Sequence, residues 1–155
     1  MIKPYLFLAG LLLLLSGMSQ ADSEPHEIAL VLVLVSGADL GDIQLTPNQL
    51  RRTFLGIPVS INGKGIRALR NTSDPLLNEI FLQKVVYMSE QRYNRQLVSR
   101  TFRAGRMWPP NFERQADLIQ TLKSIPGSIS VMWEKDAKKD PALHIIQVLW
   151  KGLPR

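Results

Sequence analysis

The sequence predicts an α/β fold, a mixed sheet with helices on both faces, and three observations support this prediction. Segments with strand patterns alternate with segments of helical spacing, in the order strand, helix, strands, helices, strand, strand. The segment 28–35 is continuously apolar, as in a strand that is buried on both faces, and the predicted strands at 128–133 and 143–150 are also largely apolar. Because two buried faces must both be covered, helices are expected on each side of the sheet.

The N-terminal 21 residues have the pattern of a cleaved signal peptide. Lys3 supplies a positive charge, an apolar run follows from Tyr5 to Leu15, and Ser19-Gln20-Ala21 has small residues where signal peptidase reads them. A membrane span needs about 20 apolar residues, so this run is too short, and a retained anchor is the alternative. We therefore expect a periplasmic protein, with a single domain over residues 22–155 that is not embedded in the membrane once processed.

Composition limits the classes of function. The chain has no cysteine, which excludes disulfides, thiolate chemistry, cysteine metal sites and a lipoprotein anchor. The formal net charge of +6 is of the sign that favours nucleic acid or an anionic surface, but an exported chain rarely meets nucleic acid. Several arginines are spread along a helical region, at positions 92, 95, 100, 103, 106 and 114. This spacing favours a solvated basic face, with an acidic partner or anionic ligand as the alternative.

The first strand is predicted at Ile28–Val35, and a pair of strands is predicted further on. The pair consists of a short strand after Gly56 and a strand from Ile66 to Leu69, joined by a turn at Asn62-Gly63.

Between these strands, Thr46 has the signals of a helix N-cap. Pro47 suits the first helical position, and Gln49 completes a capping box with Thr46. Gly56 is predicted to end this helix.

The segment RNTSDPLLNEIF, from Arg70 to Phe81, has two interpretations. Ser73 or Asp74 can cap a helix, and Pro75 is tolerated in its first turn. Alternatively, the hydroxyls and the arginine hold a phosphate-like anion at the N-terminus of that helix. Both interpretations remain open at this point.

The second half of the chain continues the alternation. Ser89 is predicted to cap a third helix, and Pro109-Pro110 interrupts the helical pattern. A fourth helix is predicted over Gln115 to Ser124, and the charged segment 134–142 is predicted to be a surface loop.

No enzyme, metal site or cofactor is predicted. The only histidines are His26 and His144, without zinc-site spacing, and no nucleophile motif is present. His144 stands in an apolar strand segment and is interpreted as a hydrogen-bonded structural histidine. The acidic residues Asp39/Asp42 and Glu134/Asp136 are interpreted as solvated loop residues.

Three segments, in this order, resemble motifs of the phosphate-binding-protein-like family, the periplasmic solute-binding proteins of phosphate ABC uptake systems. The first is LTPNQLRRTFLG, which is similar to L-[ST]-x-x-[EQ]-[LI]-x-x-I-F-x-G. The second is LRNTSDPLLNEIFLQKV, which stands where the family has R-x-x-G-S-G-T-x-x-x-F, with Arg70, Ser73 and Phe81 as counterparts. The third is SIPGSISVMW, which resembles tPGAIGYv through Pro126, Gly127 and Ile129. The resemblance covers about residues 28–150.

The resemblance implies a short form of the type II periplasmic-binding-protein-like fold that holds an oxyanion. Loop hydroxyls, backbone amides and an arginine would bind the ligand, from one loop after the first strand and from the Arg70 segment. The implied ligand-binding residues are Ser36, Gly37, Arg70, Thr72 and Ser73. The chain departs from the family at Asp74-Pro75, which replaces glycines, because proline lacks an amide donor and aspartate repels an anion.

Two functions are therefore expected as alternatives. The first is a non-enzymatic solute-binding-like protein for phosphate or a similar oxyanion, linked to ABC uptake through a membrane permease. The second is a periplasmic interaction or signalling module with the same fold and a degenerate pocket. Its partner surface would contain Trp108-Pro109-Pro110 and the series Arg100, Arg103 and Arg106. Binding of the envelope surface through the basic face is a weaker third class, and nucleic acid is not expected as a partner.

Overall fold

The computed structural model describes residues 28–105 and 109–153. The predicted signal peptide, and Arg106 and Trp108 of the predicted partner surface, lie outside these residues. The strands are β1 Leu30–Ser36, β2 Val59–Ile61, β3 Lys64–Ala68, β4 Arg70–Asn71, β5 Asn111–Phe112, β6 Ser128–Trp133 and β7 His144–Gly152. The helices are α1 Pro47–Phe54, α2 Pro75–Phe81, α3 Glu90–Ala104, α4 Gln115–Ser124 and α5 Glu134–Ala137, with a π-helical turn, Leu82–Val86, that continues α2.

The main sheet has five strands in the order β2-β3-β6-β1-β7 and is mixed, as predicted. Strand β1 pairs antiparallel with both β6 and β7, so that Val35 lies opposite Ser130 on one side and Ile145 on the other. Strand β3 runs parallel to β6, with Ala68 opposite Ile129. Strands β4 and β5 form a separate parallel pair. The chain is thus an α/β protein with β1 and β6 at the centre of its sheet.

Helices cover both faces of this sheet, which confirms the prediction made from the apolar strands. Alternate residues of β1 point to opposite faces: Leu32 and Leu34 enter the larger core, whereas Val33 and Val35 enter the smaller one. The larger core is closed by α1, α2, the π-helical turn and Tyr93 of α3. The smaller core is closed by α4 and α5.

The N-terminus of α1 has the predicted capping box. The Thr46 hydroxyl accepts a hydrogen bond from the Gln49 amide at 3.2 Å, and the Gln49 side chain accepts one from the Thr46 amide at 2.8 Å. Gly56, with φ +73°, follows the C-cap Leu55 and ends the helix in the left-handed conformation. These local interactions position the helix that carries Leu50 and Phe54 into the larger core.

Replacing Thr46 by alanine is expected to lower the free energy of unfolding by about 1 kcal/mol, because the amide of Gln49 loses its acceptor. Urea denaturation of the purified protein measures this loss. Thr121→Ala is the matched control, since its hydroxyl donates to the Asp117 carbonyl inside α4 and caps no free amide. Equal losses in the two variants would contradict a capping role for Thr46.

Two predictions for the C-terminal part are wrong. Segment 134–142 is not entirely a surface loop, because Glu134–Ala137 forms α5 and buries Ala137 in the smaller core. His144 is exposed at the start of β7, and no side-chain hydrogen bond is found for it among the described residues. The reason is that β7 is an edge strand. Its side chains are less covered by the rest of the protein than those of the central strands β1 and β6. The exposure of Ile145 and Val148, which also belong to β7, has the same cause.

Candidate functional site

The predicted ligand-binding residues fall into two groups on opposite sides of β6, one after β1 and one after β3. Ser36 ends β1 and lies opposite Ile129, near the start of β6. Asp74, directly after the Arg70–Ser73 segment, accepts a hydrogen bond from the indole of Trp133 at the other end of β6. Closer to Arg70, the Leu69 amide donates to the Ile129 carbonyl and the Asn71 side chain donates to the Val131 carbonyl. Arg70, Thr72 and Ser73 thus lie on one segment but bond to different partners, and strand β6 separates this segment from Ser36 and Gly37.

The loop after β1 has a packing role. Ser36 is 1% exposed, and its hydroxyl accepts a hydrogen bond from the Ala38 amide at 3.2 Å. A Cβ atom on Gly37 would lie 2.2 Å from the carbonyl oxygen of Leu122, in the last turn of α4. Carbonyl groups at a helix C-terminus carry partial negative charge, which is unfavourable for an anion. Gly37 thus allows the loop to approach α4 closely.

The hydroxyls of the Arg70 segment bond to protein acceptors. Ser73 donates its hydroxyl and its amide to the Asn71 side-chain oxygen, at 2.7 and 3.0 Å. Asn71 is 1% exposed and also donates to the Val131 carbonyl at 3.0 Å, which anchors the segment to β6. The Thr72 hydroxyl donates to the Asn111 side chain at 2.8 Å. Asn71 was not among the predicted site residues, although an asparagine two residues before a serine is a signal of such a turn.

Asp74, rather than Ser73, is the N-cap of α2. Its carboxylate accepts a hydrogen bond from the Leu77 amide at 3.1 Å and one from the Trp133 indole at 2.9 Å. Burial acts to raise the pKa of Asp74, but these bonds, the Leu76 amide and the positive charge of Lys135 together lower that pKa below its usual value. The ionised carboxylate is therefore stabilised by the folded state.

The contribution of Asp74 to stability is expected to depend on pH. Because the folded state lowers its pKa, the contribution is present above the unfolded pKa of about 3.8 and is lost as the pH falls through the folded pKa. Asp74→Asn should reduce the free energy of unfolding at about pH 7 and reduce it less at about pH 2.5. Urea midpoints of both proteins at the two pH values measure this. A loss that is the same at both values would contradict a charged cap.

Arg70 is a buried cation between α2 and α3. It is 7% exposed, and its guanidinium donates to Asn94 at 3.3 Å and to Asn78 at 3.1 Å. Its guanidinium carbon lies 4.7 Å from the centroid of the Tyr93 ring. Glu90, whose side chain is 59% exposed, supplies a carboxylate oxygen at 3.4 Å. The Arg70 Nε is buried and has no hydrogen-bond partner among the described residues.

The partners of Arg70 were not predicted from the sequence. Asn78, Glu90 and Asn94 stand 8, 20 and 24 residues after Arg70 and come from two helices. Glu90 and Asn94 lie one turn apart on α3, which is the only local signal that the two side chains share a direction. The Arg70 guanidinium can hold a carboxylate or a similar anion, since the exposed carboxylate of Glu90 is already in contact with it.

The outer side of α3 is a second candidate surface. Tyr93 is buried, and Leu97 packs partly against the larger core. On the opposite side Val98 is 55% exposed and Phe102 is 86% exposed. Together with the exposed arginines 92, 95 and 103, these two residues form what we call the α3 face.

Two further types of site are not found in the part of the chain that the structure describes. No group of three or more histidine, aspartate or glutamate side chains there could hold a metal ion. None of the helices there combines the length and the apolar character that a membrane crossing requires. Comparison of the chain with models of protein families, with curated proteins and with solved structures finds no match.

Proposed function

We propose that the protein is an exported, non-enzymatic member of the phosphate-binding-protein-like type, with the type II periplasmic-binding fold in a short form. We further propose that it acts by binding another protein in the periplasm, as an interaction or signalling module with a degenerate pocket. The three motifs in family order and the mixed sheet with helices on both faces support the first part. The signal-peptide pattern of residues 1–21 supports export.

One contrast supports an interaction role. The guanidinium NH2 groups of Arg70 already bond within the fold, and the nearby hydroxyls of Thr72 and Ser73 donate to protein acceptors. The α3 face, by comparison, presents two large apolar side chains and several arginines to solvent. Aromatic residues and arginine are enriched in the energetically important parts of protein interfaces.

Retention of periplasmic proteins on the immobilised protein, residues 22–155, tests this role. A protein retained by the parent should be lost with Phe102→Asp, because the change places a charge where the α3 face has its more exposed apolar side chain. Val148→Asp is the matched control, since it makes the same kind of change at an exposed residue of β7. Retention that does not differ between the two variants would contradict the role of α3.

Oxyanion binding at Arg70 is the second candidate function. Two observations support it. The Arg70 Nε has no partner among the described residues, and the contact between the guanidinium and exposed Glu90 is long for an ion pair, at 3.4 Å. An incoming phosphate could displace this carboxylate and bind the guanidinium, with Thr72 and Ser73 reorienting towards it. The protein would then bind phosphate for uptake through a membrane permease.

Thermal melts with increasing phosphate or sulfate separate the two candidates. A ligand that binds only the folded state raises the melting temperature in a saturable way. Oxyanion binding predicts such a rise, and predicts a larger one in Glu90→Gln, because a competing charge is removed. The interaction role predicts no saturable rise in either protein. Asp42→Asn is a control for net charge, since it also removes one negative charge and Asp42 is exposed and lies outside this group.

A further inference from the structure

We infer that the α3 face is a docking site for an acidic amphipathic helix of a partner protein. The partner helix would carry apolar side chains one turn apart and a row of aspartate or glutamate beside them. This inference rests on the proposed interaction role, and it adds the surface and the chemistry of the partner.

The apolar part of the surface has helical spacing. Val98 and Phe102 are four residues apart, so they lie next to each other on one side of α3. They lie opposite Tyr93 and Leu97, which face the larger core. Single exposed apolar residues are common in soluble proteins. A neighbouring valine and phenylalanine, 55% and 86% exposed on a helix whose other side is packed, form a small apolar patch.

The charged part of the surface lies directly beside this patch. With 3.6 residues per turn, Arg92, Arg95 and Arg103 project on one flank of the Val98–Phe102 pair. Arg92 and Arg95, with Gln96 and Ser99, line a hollow of about 290 Å³. Within residues 28–105 and 109–153, none of the three arginines has a carboxylate within 4.0 Å. The row of uncompensated positive charge is complementary to carboxylates, which arginine binds with two parallel hydrogen bonds.

Two other occupants fit this surface less well. A second copy of the chain would place the arginines of one α3 against those of the other, and like charges repel at an interface. A membrane surface is bound by helices with a broad apolar side, whereas this face has two large apolar residues. A narrow apolar patch flanked by arginines fits one amphipathic helix with acidic residues on its flank.

A designed peptide tests the inference. The probe is a fluorescently labelled helical peptide with leucines at i and i+4 and a flanking row of glutamates, titrated with the intact protein of residues 22–155. Saturable binding that weakens with salt is expected, because exposed charge pairs are screened. Phe102→Asp and Arg95→Glu should each weaken it about fivefold or more. Val148→Asp and Lys64→Glu should leave it unchanged, because both residues are exposed outside α3.

Reversing the charges on both the peptide and the protein gives the decisive comparison. A peptide with lysines in place of the glutamates should bind the Arg95→Glu protein more tightly than it binds the parent. Equal binding of the glutamate peptide and a glutamine version, or the same affinity in the α3 and control variants, would overturn the inference. So would binding of vesicles with anionic lipid that depends on Arg95 while the glutamate peptide does not bind.

The experiments distinguish failure of the proposed interaction role from failure of the inferred acidic partner. If a periplasmic protein is retained through Phe102 but the acidic peptide does not bind, the interaction role stands and the acidic partner is wrong. If nothing is retained through Phe102 and the peptide does not bind, both are wrong. Melting curves of each variant show that the substituted proteins are folded, as expected for changes at exposed positions.

Discussion

Replacing Tyr93 by alanine is expected to lower the free energy of unfolding by about 3–5 kcal/mol, the range for removing a buried aromatic side chain. Tyr93 is 0% exposed and packs edge-to-face on Phe81 at 5.8 Å between ring centroids. Phe81 in turn packs on Phe54 at 4.9 Å. The three rings join α3, α2 and α1, so the cavity left by the alanine would loosen three helices. Urea denaturation followed by tryptophan fluorescence measures the loss.

Tyr93→Phe is the matched control. It keeps the ring but removes the hydroxyl, which donates to the Phe54 carbonyl at 2.6 Å. This carbonyl lies at the C-terminal end of α1, where no amide of the same helix continues the ladder. The expected loss is about 1–3 kcal/mol, the cost of a buried acceptor left without its donor. If Tyr93→Phe costs as much as Tyr93→Ala, the hydrogen bond rather than the ring packing holds α3 to the body of the protein.

Replacing Gly127 by alanine is expected to cost about 2–5 kcal/mol, because two penalties add. Gly127 has φ +76°, which disfavours a residue with a Cβ atom. That Cβ would also lie 2.7 Å from the carbonyl oxygen of Gly65. The amide of Arg67 donates to the Gly127 carbonyl at 2.9 Å, so any shift would disturb the contact between β3 and the start of β6. Urea denaturation again measures the change.

Gly41→Ala separates the two penalties. Gly41 has nearly the same backbone angle, φ +75°, but its Cβ would meet nothing within 4 Å. Its replacement should therefore cost about 1–2 kcal/mol, for the left-handed conformation alone. Equal losses at the two glycines would contradict the close approach at Gly127. Gly127 belongs to the motif that resembles the phosphate-binding-protein-like family, and here backbone geometry accounts for the glycine.

In the Arg70 segment, the local cap could be predicted from the sequence, but the partners of the hydroxyl groups could not. Both the helix cap and the anion-binding interpretation could be stated from the order of residues, and Asp74 is the cap. Whether the hydroxyls of Thr72 and Ser73 were free to bind a ligand depended on Asn71 and Asn111. Asn111 stands 39 residues after Thr72, and its position was decided by the pairing of β4 with β5.

The sequence by itself determined the local structure of this protein. The capping box at Thr46, the cap at Ser89, the bounds of α4 and the turn at Asn62-Gly63, with φ of +51° and +77°, all follow from it. Each depends on hydrogen bonds and backbone angles within a few residues, so a short stretch of chain contains the whole cause.

Only the tertiary structure decided which strand lies at the edge and which side chains surround Arg70. Strands β1, β6 and β7 are all rich in apolar residues, yet β7 lies at the end of the sheet order and exposes Ile145 and Val148. Asn78, Glu90 and Asn94 reach Arg70 because α2 and α3 pack together over the larger core. Strand order and helix packing are set by the burial of apolar surface over the whole chain, which no single segment contains.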